Sequence, residues 1–154
     1  MHLTTEVPIL SLWVAPEQLL VTRLSGVLDQ VAVERWLVGL TMEAAKIPQG
    51  HPFKALFDLR GAGFENIESN RFFRQSIPQF LSDHGFWVSY LTPEETRELR
   101  TRRQLQTTCC LAMALLHHDE IKMGFFQKRY GHAQEGYFAN EDKALGWLKV
   151  QKLG

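Results

Sequence analysis

The chain has 154 residues, 45% apolar and 22% charged, with 17 basic side chains balanced by 17 acidic ones. That length suits one domain spanning residues 1–154, and the composition is globular rather than disordered. Zero formal net charge removes the general electrostatic case for a nucleic-acid or acidic-membrane partner.

In chain order, the opening MHLTTEVPIL has no basic segment ahead of an apolar core, so it does not read as a signal peptide. Pro8–Val14 and Leu19–Gly26 are rich in β-branched and aliphatic residues and read as two strands of a hairpin around APEQ. Asp29 is placed to cap a helix, with Leu28 and Val33 at the positions of a hydrophobic staple. Val33, Trp36, Leu37, Leu40 and Ala44 then form one apolar helical face.

Phe53–Leu59 reads as a third strand, followed by Gly61 and Gly63. A second helix is expected from about Ser69, which would act as its cap, with Phe73, Ile77, Phe80 and Leu81 on one side. Pro78 lacks the amide a continuous helix uses, so a kink or restart is expected there. A helical insertion at about 86–107 carries TPEETRELRTRRQLQ. Thr92, Pro93 and Glu95 spell a capping box with proline at the first helical position, and Glu98 stands four residues before Arg102. With only Leu99 and Leu105 apolar, this reads as a weakly packed, solvated helix despite Arg97, Arg100, Arg102 and Arg103.

CCLAMALLHH suits a central strand buried on both faces. Its apolar part, CCLAMALL, is the longest apolar run and falls far short of the roughly 20 residues that span a bilayer. The expectation is therefore a soluble cytoplasmic protein. Cys109 and Cys110, the only cysteines, are adjacent, which excludes a disulfide framework, and both are expected to be buried and inert. Asp119 would cap a helix closed by Gly131. EGYF then makes a short strand, and Asn140 caps a last helix with Ala144, Leu145 and Leu148 inward. Strand–helix alternation of this kind indicates an α/β domain with one mostly parallel sheet.

The hairpin, LSGVLD, FDLRG and the closing YFANEDKALGWL together resemble the STAS domains, and within them the SpoIIAA-like, or STAS/SEC14-like, group. The resemblance implies a single-domain mixed β-sheet flanked by helices, in a bacterial regulatory protein without metal or obligatory cofactor. It also implies a non-catalytic protein–protein interaction module whose partner is another protein, such as a kinase or regulatory factor. Asp58, Leu59 and Gly61 match the first anti-sigma-antagonist motif, with Arg60 in place of serine. Ile67, Glu68 and Ser69 match the second, which makes Ser69 the phosphoacceptor that the resemblance implies. Phosphate there would add about −1.5 to −2 charge at a helix N-terminus, where an anion is favoured.

Other chemistries are thinly supported. His117 and His118 end a strand, where adjacent side chains point to opposite faces, and no HxxxH or HxH spacing occurs. RGAG lacks the spacing and lysine of a phosphate loop, and no GxSxG elbow is present. A hydrolase would have to pair Asp58 with His117 or His118. The aromatics around the third strand, Phe57, Phe64 and Phe73 among them, either fill the core or line a pocket for a small apolar or lipid-like ligand, as the SEC14-like comparison suggests. Phe86, Trp87 and Tyr90, where exposed, would suit a protein interface such as a homodimer.

Overall fold

Ile9–Val14 (β1) and Leu19–Leu24 (β2) form the antiparallel hairpin, in register from Ile9 opposite Leu24 to Val14 opposite Leu19. A 3-10 turn, Ala15–Glu17, joins them, with Gln18 in the left-handed region at φ 51°. The computed structural model describes residues 8–153, so most of the stretch read above for a signal peptide lies outside the described residues. Gly26–Leu28 (β3) leads to Gln30–Ala44 (α1), whose first turn is held by Asp29 accepting from the Ala32 amide. Leu28 and Val33 are both buried, as a staple requires.

Pro52–Asp58 (β4) is followed by Ala62–Phe64 (β5), Ile67–Asp83 (α2) and Pro93–Arg102 (α3). Cys109–Leu116 (β6), Glu135–Phe138 (β7), Glu120–Tyr130 (α4) and Glu141–Lys149 (α5) complete the chain. The main sheet has the order β1-β2-β4-β6-β7, parallel except for β1, while β3 and β5 form a separate parallel pair. This is the α/β domain with a mixed sheet flanked by helices that the sequence predicts. Among the described residues no helix is long and apolar enough to cross a membrane.

The crossovers through α1, α2 and α4 step across the sheet in one direction, and a common hand puts all three helices on one face. Phe53, Ala55 and Phe57 of β4 point into that core, with Trp36, Leu40, Phe80 and Leu81 opposite. The other face carries α5, and Leu56, Ala114 and Leu116 pack there against Ala144 and Leu148. Lys54 and Asp58 alternate with the core residues of β4 and therefore share the α5 face with Leu56. Between β4 and β6 the register skips Leu111, because Phe53 pairs with Cys110 and Lys54 with Ala112. The irregularity keeps Cys110 in the same core as Phe53 and Met113.

Several expectations are corrected. Helix α2 begins two residues before Ser69 and continues through Pro78 without a restart. Its cap is Asn66, whose side chain accepts from the Ser69 amide at 2.8 Å. Ser69 is the third residue of the helix. Cys109 is exposed, although Cys110 is buried. Glu98 and Arg102 make no ion pair among the described residues. Arg100 and Arg103 instead lie over the Trp87 ring, at 5.5 and 5.3 Å from its centroid, and Arg103 Nε also donates to the Ser82 carbonyl. The Arg103–Ser82 bond thus fastens the segment to the end of α2, the ring contacts brace it internally, and its Leu99 is buried. Gly131 follows α4 in extended rather than left-handed backbone (φ −65°). Space is what it supplies, since a Cβ there would fall 2.5 Å from the Gln127 carbonyl oxygen.

Candidate functional site

The predicted site residues gather where β4 and β6 end. Leu59 donates its amide to the Leu116 carbonyl at 2.7 Å, which ties the two strand ends together. Gly61 then turns the chain at φ 77°, a left-handed conformation open to glycine, and its carbonyl accepts from the Gly26 amide. That bond starts the β3–β5 pair, which carries the chain to the Asn66 cap of α2.

Asp58, on the last position of β4, has no exposed surface. Arg23, its neighbour in β2, donates from Nε and Nη2 to Oδ2 at 3.0 and 2.8 Å. Arg60 donates from its backbone amide and Nε to Oδ1, and from Nη2 to Oδ2. The same Nη2 reaches Glu141 Oε1 at 3.1 Å, in the first turn of α5. Burial on its own raises the Asp58 pKa. The hydrogen bonds from Arg60 and Arg23 outweigh it and hold the carboxyl below its ordinary range. Asp58 is an ionised anchor, with its lone pairs committed to two guanidinium groups.

This geometry separates Asp58 from the histidines. β6 ends at Leu116, so His117 and His118 leave strand geometry and their rings stack, with centroids 4.2 Å apart, rather than opposing. His118 Nδ1 accepts from the Gly61 amide and His117 Nδ1 from the Asp119 amide, each at 3.0 Å. Burial, followed by the neighbouring His118 and Lys122, lowers the His117 pKa. Both rings are engaged through Nδ1 by backbone donors, and neither hydrogen-bonds Asp58. Among the described residues no third ligating side chain joins them.

Ser69 has no exposed surface, whereas Glu68 and Ile67 beside it are exposed. Its hydroxyl accepts from the Asn66 amide at 3.3 Å and donates to the Asn66 carbonyl at 3.0 Å, closing a reciprocal capping box. Of the predicted pocket residues, Phe57 is fully buried and meets Phe80 edge-on in the core. Phe64 and Phe73 stack at 4.8 Å and line a crevice of about 340 Å³ that includes Arg74, His117 and Lys122. In the insertion, Phe86 is buried and Tyr90 packs on Phe126 and Tyr130, so these aromatics mostly serve the core.

Arg23 escaped sequence reading, and so did two further buried charged groups. Glu135 is fully buried at the start of β7. It accepts from the Ser89 amide and hydroxyl and from the Tyr137 hydroxyl, which pins the insertion to the sheet. Lys54, 9% exposed on the middle strand, donates from Nζ to the Leu148 carbonyl at 2.8 Å. An outward-reading lysine in a strand of alternating FKALFD gives no hint of a partner 94 residues away. Helix α5 is therefore tied at both ends to one strand, through Arg60 and Asp58 at its start and Lys54 at its end. The seven helical steps from Glu141 to Leu148 span about 10.5 Å and the four strand steps from Lys54 to Asp58 about 13 Å, a difference the long Arg60 and Lys54 side chains take up. Neither a family model, nor a curated protein, nor a solved structure matches this chain.

Proposed function

We propose that the chain is a non-catalytic binding module of STAS type, acting in the bacterial cytoplasm. It engages another protein, a kinase or regulatory factor in this reading, through the Asp58–Ser69 loop and the first turn of α2. The observation that carries the proposal is the exposure of aliphatic side chains on β3 and in the first turns of α2 and α4. Val27 on β3 is 80% exposed, Ile67 at the start of α2 is 72%, and Ile121 in the first turn of α4 is 87%. They contribute little to the chain's own core, and apolar surface of this kind is characteristic of contact sites. The chemistry alongside is static, because Asp58 is spent on Arg23 and Arg60 and makes no pair with histidine.

Ser69 enters this reading as a switch with a structural cost. Its hydroxyl is enclosed by the capping box, so a kinase reaches it only when the first turn of α2 opens. Phosphate would then prevent the box from closing and would displace Ile67 from its place on the edge. The test is photo-cross-linking from position 67, with position 49, on the opposite end of the sheet, as control. A partner captured at 67, absent at 49 and lost in Val27→Asp and in Ser69→Asp supports the proposal. A partner whose capture survives both substitutions refutes it.

The crevice beside Phe64 and Phe73 favours a second reading, carriage of a small apolar ligand. Its stacked ring pair and volume of about 340 Å³ lie in the range of small-molecule sites. Native mass spectrometry that finds only the bare chain mass, or a multiple of it, refutes this reading.

A further inference from the structure

A cavity lies at the other end of the sheet, remote from the Asp58 edge. It measures about 560 Å³ and opens between the β1–β2 turn and the C-terminal half of α5, with Leu19, Leu145, Leu148 and Leu153 among its walls. Small-molecule sites run from roughly 300 to 1,000 Å³ and combine apolar walls with a few placed polar groups. Here the placed group is the Lys54 ammonium.

Lys54 is nearly buried on the middle strand, and buried ammonium groups are normally paired with a carboxylate. None pairs with it among the described residues, and its one hydrogen-bond acceptor is the Leu148 carbonyl. That carbonyl belongs to the last turn of α5, where the helix dipole favours a cation. One carbonyl uses one of the three N–H donors of an ammonium. Lys54 is a cavity-lining residue, and its ammonium keeps donors to spare.

Gly146 also lies on the cavity wall. It sits within α5, where glycine is a poorer helix former than alanine. Its backbone is not left-handed, and a Cβ built there meets nothing within 4 Å. Neither conformation nor close packing requires glycine, yet the residue lines the cavity. A larger side chain at 146 would stand on that wall, where it competes with a ligand for the volume.

We infer that this cavity is a binding site for a small monocarboxylate with an aliphatic body, its carboxylate on Lys54 and its chain against the leucine walls. A monoanion matches the lining charge, since Lys54 and Lys149 face a single acid, Glu17. A dianionic phosphate would exceed it. The site is separate from the proposed protein-binding edge and stands or falls without it.

The probe is octanoate, with 1-octanol as its uncharged counterpart, titrated into the full chain by isothermal calorimetry and heteronuclear NMR. Saturable octanoate binding is expected, tighter than octanol by about tenfold or more, as a charge-assisted hydrogen bond implies. Shifts should centre on Leu19, Leu145 and Leu148. Gly146→Leu leaves Lys54 in place, suits a helix and should abolish binding. Lys54→Met should erase the preference for octanoate over octanol. Should Lys54→Met fail to fold, Gly146→Leu and the octanoate–octanol comparison in wild type decide the matter. Absence of saturable octanoate binding to wild type, equal affinity for the two probes, or binding that survives Gly146→Leu overturns the inference.

Discussion

Asp58→Asn removes the charge that Arg23 and Arg60 share while nearly preserving shape. Arg60 retains Glu141, but Arg23, with a side chain 5% exposed, is left facing an amide. Its Nη1 already has no acceptor among the described residues, so no spare partner there compensates. Breaking a buried pair by removing one member costs about 3–5 kcal/mol, chiefly as an uncompensated charge. For a domain of this size that lowers Tm by about 6–20 °C. Urea unfolding followed by circular dichroism measures it. Replacing both members, as Arg23→Met with Asp58→Leu, should be less damaging than Asp58→Asn, because no lone charge remains. The pH dependence has a definite sign. The Asp58 pKa is depressed from 3.8 in the folded state, so its contribution is complete above that value and disappears as pH falls through the folded pKa. The gap between wild type and Asp58→Asn should therefore close only in strong acid. A loss below about 1 kcal/mol at pH 7, or a gap that closes near neutrality, would refute the clamp.

Other outcomes follow from single contacts. Asn66→Ala should cost about 0.5–2 kcal/mol in urea unfolding, and no change would deny it the capping role. Gly131→Ala and Gly146→Ala should move Tm in opposite directions. The first collides with Gln127, and the second meets open space and gains helix propensity. Glu135→Ala leaves the Ser89 amide and the Tyr137 hydroxyl without their acceptor. Hydrogen exchange in residues 86–107 should then accelerate ahead of the rest of the chain, and uniform acceleration would count against the pinning role. His84 and His117 both have folded pKa values lowered from 6.5, chiefly by burial. Their stabilisation is complete above 6.5 and declines as pH falls through the folded values. NMR titration with either ring at or above 6.5 would contradict this.

Much of the fold was legible because the signals are local. Asp29, Thr92, Asp119 and Asn140 each accept from an amide three residues ahead, a distance that sequence alone displays. The Ser69 misreading is instructive on that scale. Asn66 and Ser69 have the same three-residue spacing, and hydroxyl and amide side chains both cap, so the helix start was ambiguous by one turn. Pro78 stays within α2, where Ile77, Phe80 and Leu81 on either side are buried, so tertiary packing outweighs the missing amide.

By itself the sequence determined the α/β alternation, the faces of the helices and most of their ends, since each depends on spacings of two to four residues. Only the tertiary structure decided what Asp58, Lys54 and the two histidines do. Arg23 and Asp58 are 35 residues apart, and Lys54 and Leu148 are 94 apart. Strand order brings them together, and no local pattern encodes strand order. The turn after Leu116 likewise stacked two rings that a continuing strand would have set on opposite faces. Helix α5, lying across β4, turned each of the strand's two charges into an anchor.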